Sequence, residues 1–193
     1  MKRIIPILLL IPFSIGMAKE AKLPAKPEKV ELALSVKEKK VEITGREKAV
    51  VKTNKGTFII KLFPDDAPRT VENFVRLAEA GFYDGLYFHR YVPDFVIQGG
   101  DPLGNGTGNC GWTVPAEFEN QKHTHIEGAV GLARGDDPNS GSCQFYITLS
   151  PQHGLDGNYT VFGKVIKGMD VVHSLRRGDK IIKITIIRKE EEK

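Results

Sequence analysis

Between residues 49 and 187 the apolar positions fall into short runs separated by turn formers, and only twice into the wider spacing of a helix face. Runs at 49–53 and 57–63 flank Asn54-Lys55-Gly56 and read as a hairpin. Further runs at 86–92, 95–98, 128–133, 144–148, 159–165 and 181–187 read as strands. Behind Pro68, a residue suited to a first helical turn, Val71, Phe74, Val75 and Ala78 recur at helical spacing, and Gly81 supplies a stop. A second helix is predicted over 169–177, where Met169, Val172 and Leu175 share a face ahead of Gly178. Many short strands with two helices predict a mainly β protein, a closed or nearly closed β-barrel.

Ahead of this block the pattern changes. Residues 19–29 are charged and carry Pro24 and Pro27, the composition of a flexible tether. Val30, Leu32, Leu34 and Val36 then alternate with other residues, so an extra strand is expected inside a tether spanning 19–47. Residues 4–15 form an apolar run broken only by Pro6, Pro12 and Ser14, with Lys2 and Arg3 before it and Gly16-Met17-Ala18 after it. That is the layout of an export signal over 1–18, cleaved after Ala18. The alternative is an uncleaved anchor, for which the run is short of the roughly 20 apolar residues a bilayer span needs. The expected protein is periplasmic or secreted, without stable membrane association, and ends in a charged tail over 189–193.

The 193 residues suffice for one core, assigned to 48–188. Net charge is +4, from 28 basic and 24 acidic side chains. Loss of Lys2 and Arg3 leaves 26 basic against the same 24, or +2. Basic residues are interspersed with acidic ones, and no basic stripe with interleaved aromatics is present, so nucleic acid is not an expected partner.

The candidate chemistry centres on residues 88–101, Phe-His-Arg-Tyr-Val-Pro-Asp-Phe-Val-Ile-Gln-Gly-Gly-Asp. Arg90, Phe95 and Gln98 put a guanidinium, an apolar ring and an uncharged amide together. None is a nucleophile or a base near neutral pH, which suits hydrogen bonding to an amide better than bond cleavage. A hydrolase is further disfavoured because no Gly-x-Ser-x-Gly elbow or paired-carboxylate site stands out. Taken singly, Arg90 reads as an ordinary surface arginine, and Phe95, Tyr146 and Leu155 as core.

Several ordered blocks lift these residues out of the ordinary. They are Ala67-Pro-Arg-Thr-Val-Glu-Asn-Phe74, residues 88–101, Asn105-Gly-Thr-Gly108, Gly128-Ala-Val-Gly-Leu-Ala-Arg134 with Asp137-Pro-Asn-Ser, Gln144-Phe-Tyr-Ile147, and Leu155-Asp-Gly157 with Val161-Phe-Gly-Lys-Val165. In order and spacing this set resembles the cyclophilins, the prolyl cis/trans isomerase family, over about residues 48–188. The resemblance implies an eight-stranded antiparallel closed β-barrel capped by two α-helices, acting on proline-containing polypeptides with no cofactor and no metal. A monomer is expected.

The resemblance also implies a groove. Arg90, Gln98 and Phe95 match its catalytic positions, and Val96, Ala133, Arg134, Gln144, Tyr146, Leu155 and Tyr159 its substrate-binding ones. Val96, Tyr159 and Gly154 depart from the best-studied eukaryotic members, which carry methionine, histidine and often tryptophan there. Arg134 replaces their asparagine and is similar to bacterial members. Without the tryptophan, cyclosporin binding is expected to be weak. Arg90 is implied to donate to the prolyl nitrogen as the X-Pro bond twists. A proline-peptide binding module or chaperone, for which rotation is incidental, is the alternative; an intact Arg90 favours the enzyme.

Other features read more plainly. His123 and His125 stand two apart without a zinc-like partner at suitable spacing. Strand alternation turns His89 inward if Arg90 faces a groove, as a structural histidine with its nitrogens satisfied. Residues 99–108 lack the Gly-Lys-Ser/Thr ending of a phosphate loop. Arg134-Gly-Asp136 spells an adhesion tripeptide by chance, and Asn105 and Asn158 open glycosylation sequons that matter only in a eukaryotic secretory host. In the family, the loops bearing Cys110 and Cys143 lie side by side next to the groove, so a disulfide stiffening a secondary pocket is one outcome and two separate thiols the other.

Overall fold

The computed structural model describes residues 22–119 and 121–188; the expected signal over 1–18 and the tail over 189–193 lie outside them. Eight strands run antiparallel in one sheet: β1 (Lys48–Thr53), β2 (Gly56–Leu62), β3 (Arg90–Val92), β4 (Val96–Gly99), β5 (Ala129–Leu132), β6 (Phe145–Thr148), β7 (Val161–Lys167) and β8 (Ile181–Ile187). Their spatial order is β3-β4-β6-β5-β7-β2-β1-β8. The first hairpin forms as expected, with Thr53 facing Gly56 across the two-residue turn Asn54-Lys55. Gly56 takes a φ of +140° and so tolerates the reversal.

The sheet curls but does not close through a strand ladder, unlike the closed barrel expected. No ladder joins the edge strands β3 and β8. Tyr87 and Lys180 form an isolated bridge there, and Gly85, Phe88, Gly178 and Ile181 exchange backbone hydrogen bonds across the same seam. The run at 86–92 yields only three strand residues, because its first half is spent on this seam rather than on a second ladder.

Among the described residues there are three α-helices, α1 (Glu28–Ser35), α2 (Pro68–Glu79) and α3 (Met169–Ser174). Helix α2 buries Val71, Phe74, Val75, Leu77 and Ala78 against the sheet. Pro68 opens it, and the carboxylate of Glu117 accepts from the Arg69 and Thr70 amides (3.0 and 2.9 Å), pairing two donors that the first turn leaves free. Helix α3 stops three residues short of the predicted end. Leu175 is already extended, and the carboxylate of Asp179 captures the Arg176 amide at 2.7 Å.

The expected strand over 30–36 is a helix instead. Alternation of Val30, Leu32, Leu34 and Val36 concealed a second period, in which Lys29, Val30, Ala33 and Val36 share the inward side and Ala33 is wholly buried. The segment 22–36 is also docked rather than a free tether. The Lys26 amide donates to Pro102 O (2.6 Å), and Lys29 Nζ donates to Gly81 O (2.6 Å).

Under the sheet lies an aromatic cluster in which Phe74 meets Tyr83, Phe145 and Phe162 at centroid separations of 5.1, 5.7 and 5.2 Å. All four rings are buried, so this is where α2 is fixed to β6 and β7. Phe74→Ala is expected to lower the unfolding free energy by about 3–5 kcal/mol. A urea transition shifted by less than about 1 kcal/mol would contradict a central role for the ring.

Candidate active site

Register assembles the site. Across β3, β4, β6 and β5 the paired residues are Arg90, Gln98, Tyr146 and Gly131. Successive side chains on a strand face opposite ways, so these four share one face while Ile97, Ile147 and Val130 fill the core on the other. The same parity brings Val96 and Gln144 to the outer side. Tyr146 lies flat over Gly131, where a Cβ would stand 2.2 Å from the phenol Cζ; any other residue at 131 would lift the ring.

The outer face carries a cleft of about 270 Å³ lined by Arg90, Phe95, Val96, Gln98, Ala133, Arg134, Tyr146, Leu155 and Tyr159. These are nine of the ten groove residues expected from the sequence. The tenth, Gln144, lines an adjoining cleft of about 290 Å³, whose far wall is the glycine-rich loop at 106–109. Gly154 is exposed, with nothing within 4 Å of where a Cβ would stand.

Arg90 is exposed at the mouth of the first cleft, its guanidinium 5.8 Å from the Phe95 ring centroid. Among the described residues it forms no ion pair with a carboxylate. Its one hydrogen bond here, from Nη1 to Gln98 Oε1, is long at 3.4 Å and leaves most of its five donors uncommitted. Gln98 in turn donates to Gln144 Oε1 (2.9 Å), and Gln144 donates to Gly106 O and Gly108 O (3.0 and 2.7 Å). This relay fixes which end of each amide faces the cleft.

The floor is held from below by residues the sequence did not single out as part of the site. Tyr146 Oη lies 2.7 Å from His125 Nε2, and His125 Nδ1 lies 2.7 Å from Asp156 Oδ1. An ionised carboxylate only accepts, so Nδ1 carries the proton and Nε2 accepts from the tyrosine. Burial lowers the pKa of His125, opposed by its bond to Asp156. Burial alone would raise Asp156, but bonds from the His125 amide and ring, and from His153, bring it down to about 2. Burial, with Tyr159 adding to it, raises Tyr146, which stays a phenol donor. No sequence signal linked these groups, because His125 and Asp156 are 31 residues apart.

Arg134 is committed to backbone carbonyls of Gly135, Asp136 and Asn158. Its guanidinium donates to Asn158 O (2.9 Å) and lies 4.5 Å from the Tyr159 ring centroid, so it braces one wall of the cleft. His123 turns away to Asp66 (2.7 Å), and no group of three metal-binding side chains occurs among the described residues. His89 is turned inward as expected but is not satisfied: neither ring nitrogen has a hydrogen-bond partner among the described residues. Burial, partly opposed by Asp101, lowers its pKa. Cys110 and Cys143 are buried free thiols. Hydrogen bonding from Cys143, and then from Ser142, brings Cys110 down to about 7 against the effect of burial, while the same contact raises Cys143.

A profile described as cyclophilin type peptidyl-prolyl cis-trans isomerase/CLD matches residues 48–190. A peptidyl-prolyl cis-trans isomerase of Synechococcus elongatus is 44% identical over 141 residues, covering 72% of this chain and 95% of that protein. Peptidyl-prolyl cis-trans isomerase B of Bacillus subtilis is 49% identical over 119 residues, covering 62% and 82%. Among solved structures, a cyclophilin type isomerase of Cryptosporidium parvum superposes with a TM-score of 0.70 at 28% identity, covering 75% of this chain and 99% of that one. A second structure of that protein, obtained in the presence of the dipeptide Ala-Pro, gives a TM-score of 0.64.

The lowered pKa of His125 means that the unfolded chain binds more protons between that value and the ordinary 6.5. Stability is therefore present above 6.5 and falls as pH drops through this window. An NMR titration is expected to place the His125 midpoint below 6.5. A midpoint above it would contradict a neutral ring accepting from Tyr146.

Proposed function

Because the chain belongs to the cyclophilin-type peptidyl-prolyl cis-trans isomerase family, and is a peptidyl-prolyl cis-trans isomerase, we propose that Arg90 drives the rotation by donating to the prolyl nitrogen of the twisted bond. Amide resonance sets a barrier of about 18–20 kcal/mol. As the bond twists, resonance is lost and the nitrogen recovers a lone pair that can accept a hydrogen bond. A donor aimed at that lone pair favours the twisted state over either planar isomer, which is the condition for raising kcat.

The observation that supports this reading is the uncommitted guanidinium of Arg90 beside an apolar cleft, in register with Gln98. Phe95, Val96, Tyr146 and Leu155 form the hollow for the proline ring. Gln98 and the backbone at Arg134 hold the flanking peptide groups. A gain of about 10⁵ would need about 7 kcal/mol, more than a single hydrogen bond supplies in water. The remainder comes from excluding water around the guanidinium and from holding the peptide in one pose. Arg90→Ala is expected to lower kcat/KM on a short Ala-Pro peptide by about 10²–10³-fold, with Arg90→Lys retaining part of the loss. Rates unchanged in a protease-coupled assay would reject the mechanism.

We further propose that the enzyme is of the bacterial, exported type and serves unfolded X-Pro segments outside the cytoplasm. In oxidising surroundings Cys110 and Cys143 would pass two electrons and two protons to a disulfide-bearing oxidant and close a bridge behind the second cleft. Intact-mass analysis of exported protein is expected to begin at Lys19 and to be lighter by two hydrogens than the reduced chain. Retention of residues 1–18 would sink the export reading, and two free thiols the bridge.

A further inference from the structure

The segment ahead of β1 lies outside the region matched by the family profile, yet it is built onto the wall of the second cleft. Leu23 comes within 3.1 Å of where Gly104 would carry a Cβ, and Leu34 within 2.7 Å of the same point at Gly111. Both glycines have positive φ, +66° and +95°, and at their bare Cα positions the loop at 101–111 admits Leu23 and the half-exposed Leu34 against its backbone. The Lys26 amide ties it to Pro102 O, Lys29 Nζ ties it to Gly81 O, and Ala33 is buried in the core. The loop is also cinched from within, since the Asp101 carboxylate accepts from the Leu103, Asn105 and Gly106 amides.

The opposite side of this loop faces the second cleft. Gly106 and Gly108 line that cleft, and their carbonyls hold the Gln144 amide at its edge. We propose that residues 22–36 act as a positioning arm for the second cleft: by bracing the loop at 101–111 from behind, they fix its carbonyls and raise affinity for peptides that run beyond the proline site. The inference rests on the isomerase reading and adds a specificity element to it. The arm touches no reacting atom and acts only through the loop.

A full-length Leu23→Ser/Ala33→Asp variant tests this, because it undocks the arm without altering residues 48–190. Hydrogen exchange at the Leu103, Asn105 and Gly106 amides is expected to quicken about tenfold or more. KM for a long proline peptide is expected to rise roughly three- to tenfold with kcat held within about twofold, while kcat/KM for a short Ala-Pro peptide stays within about twofold. If the arm amides lose protection but loop exchange and the long-peptide KM do not move, the proposal is overturned. It is equally overturned if both peptides lose activity in proportion, which would mark a general loosening. Should the double variant fail to fold, Leu34→Ala gives the same readouts on a smaller scale. Failure of the unaltered chain to turn the short peptide would instead remove the isomerase reading itself.

Discussion

The register of the β3–β4 hairpin on β6 is the constraint from which the site follows. It aligns Arg90, Gln98, Tyr146 and Gly131 in one row across four strands. A slip of one residue would turn that row into the core and bring Ile97 and Ile147 out to solvent. The apolar half of the pattern thus enforces the polar half. The buried cluster around Phe74 and Phe145 holds the outer row in place without touching it.

Within that frame the polar groups are committed unequally. Arg134, Gln144, His125 and Asp156 are engaged with other parts of the protein, and their bonds hold the walls, the relay and the floor. Among the described residues Arg90 has one hydrogen bond, the long one to Gln98, and stands 5.8 Å from the Phe95 ring centroid. A group meant for a transient acceptor should be positioned but not satisfied, since a strong partner in the resting enzyme would have to be given up at the twisted state. The floor obeys the complementary rule: Tyr146 is fully bonded and packed on a bare glycine, so its ring can bound an apolar pocket without offering a loose hydroxyl.

Much of this was legible in the residues, for identifiable reasons. The hairpin at 54–55 and helix α2 have local signals, a turn sequence and a proline-led apolar face, and both formed as expected. The groove residues were legible through ordered blocks, and nine of the ten meet in one cleft. What was missed depends on contacts distant in sequence. Helix α1 hid behind an alternation of larger apolar residues, because its most buried member is the small Ala33. Closure was overestimated because residues 86–89 are apolar enough for a strand yet serve as a seam. The support of Tyr146 by His125 and Asp156 joins two loops by side chains alone, and spacing carries no trace of that.

In the proposed mechanism Arg90 acts on the bond as it turns rather than on the peptide at rest. Exchange NMR on a saturated Ala-Pro peptide measures cis–trans interconversion on the enzyme separately from binding. With Arg90→Gln the bound interconversion is predicted to slow by about 10² or more, while peptide affinity changes by less than about threefold. An interconversion rate equal to that of the unaltered enzyme would contradict the account.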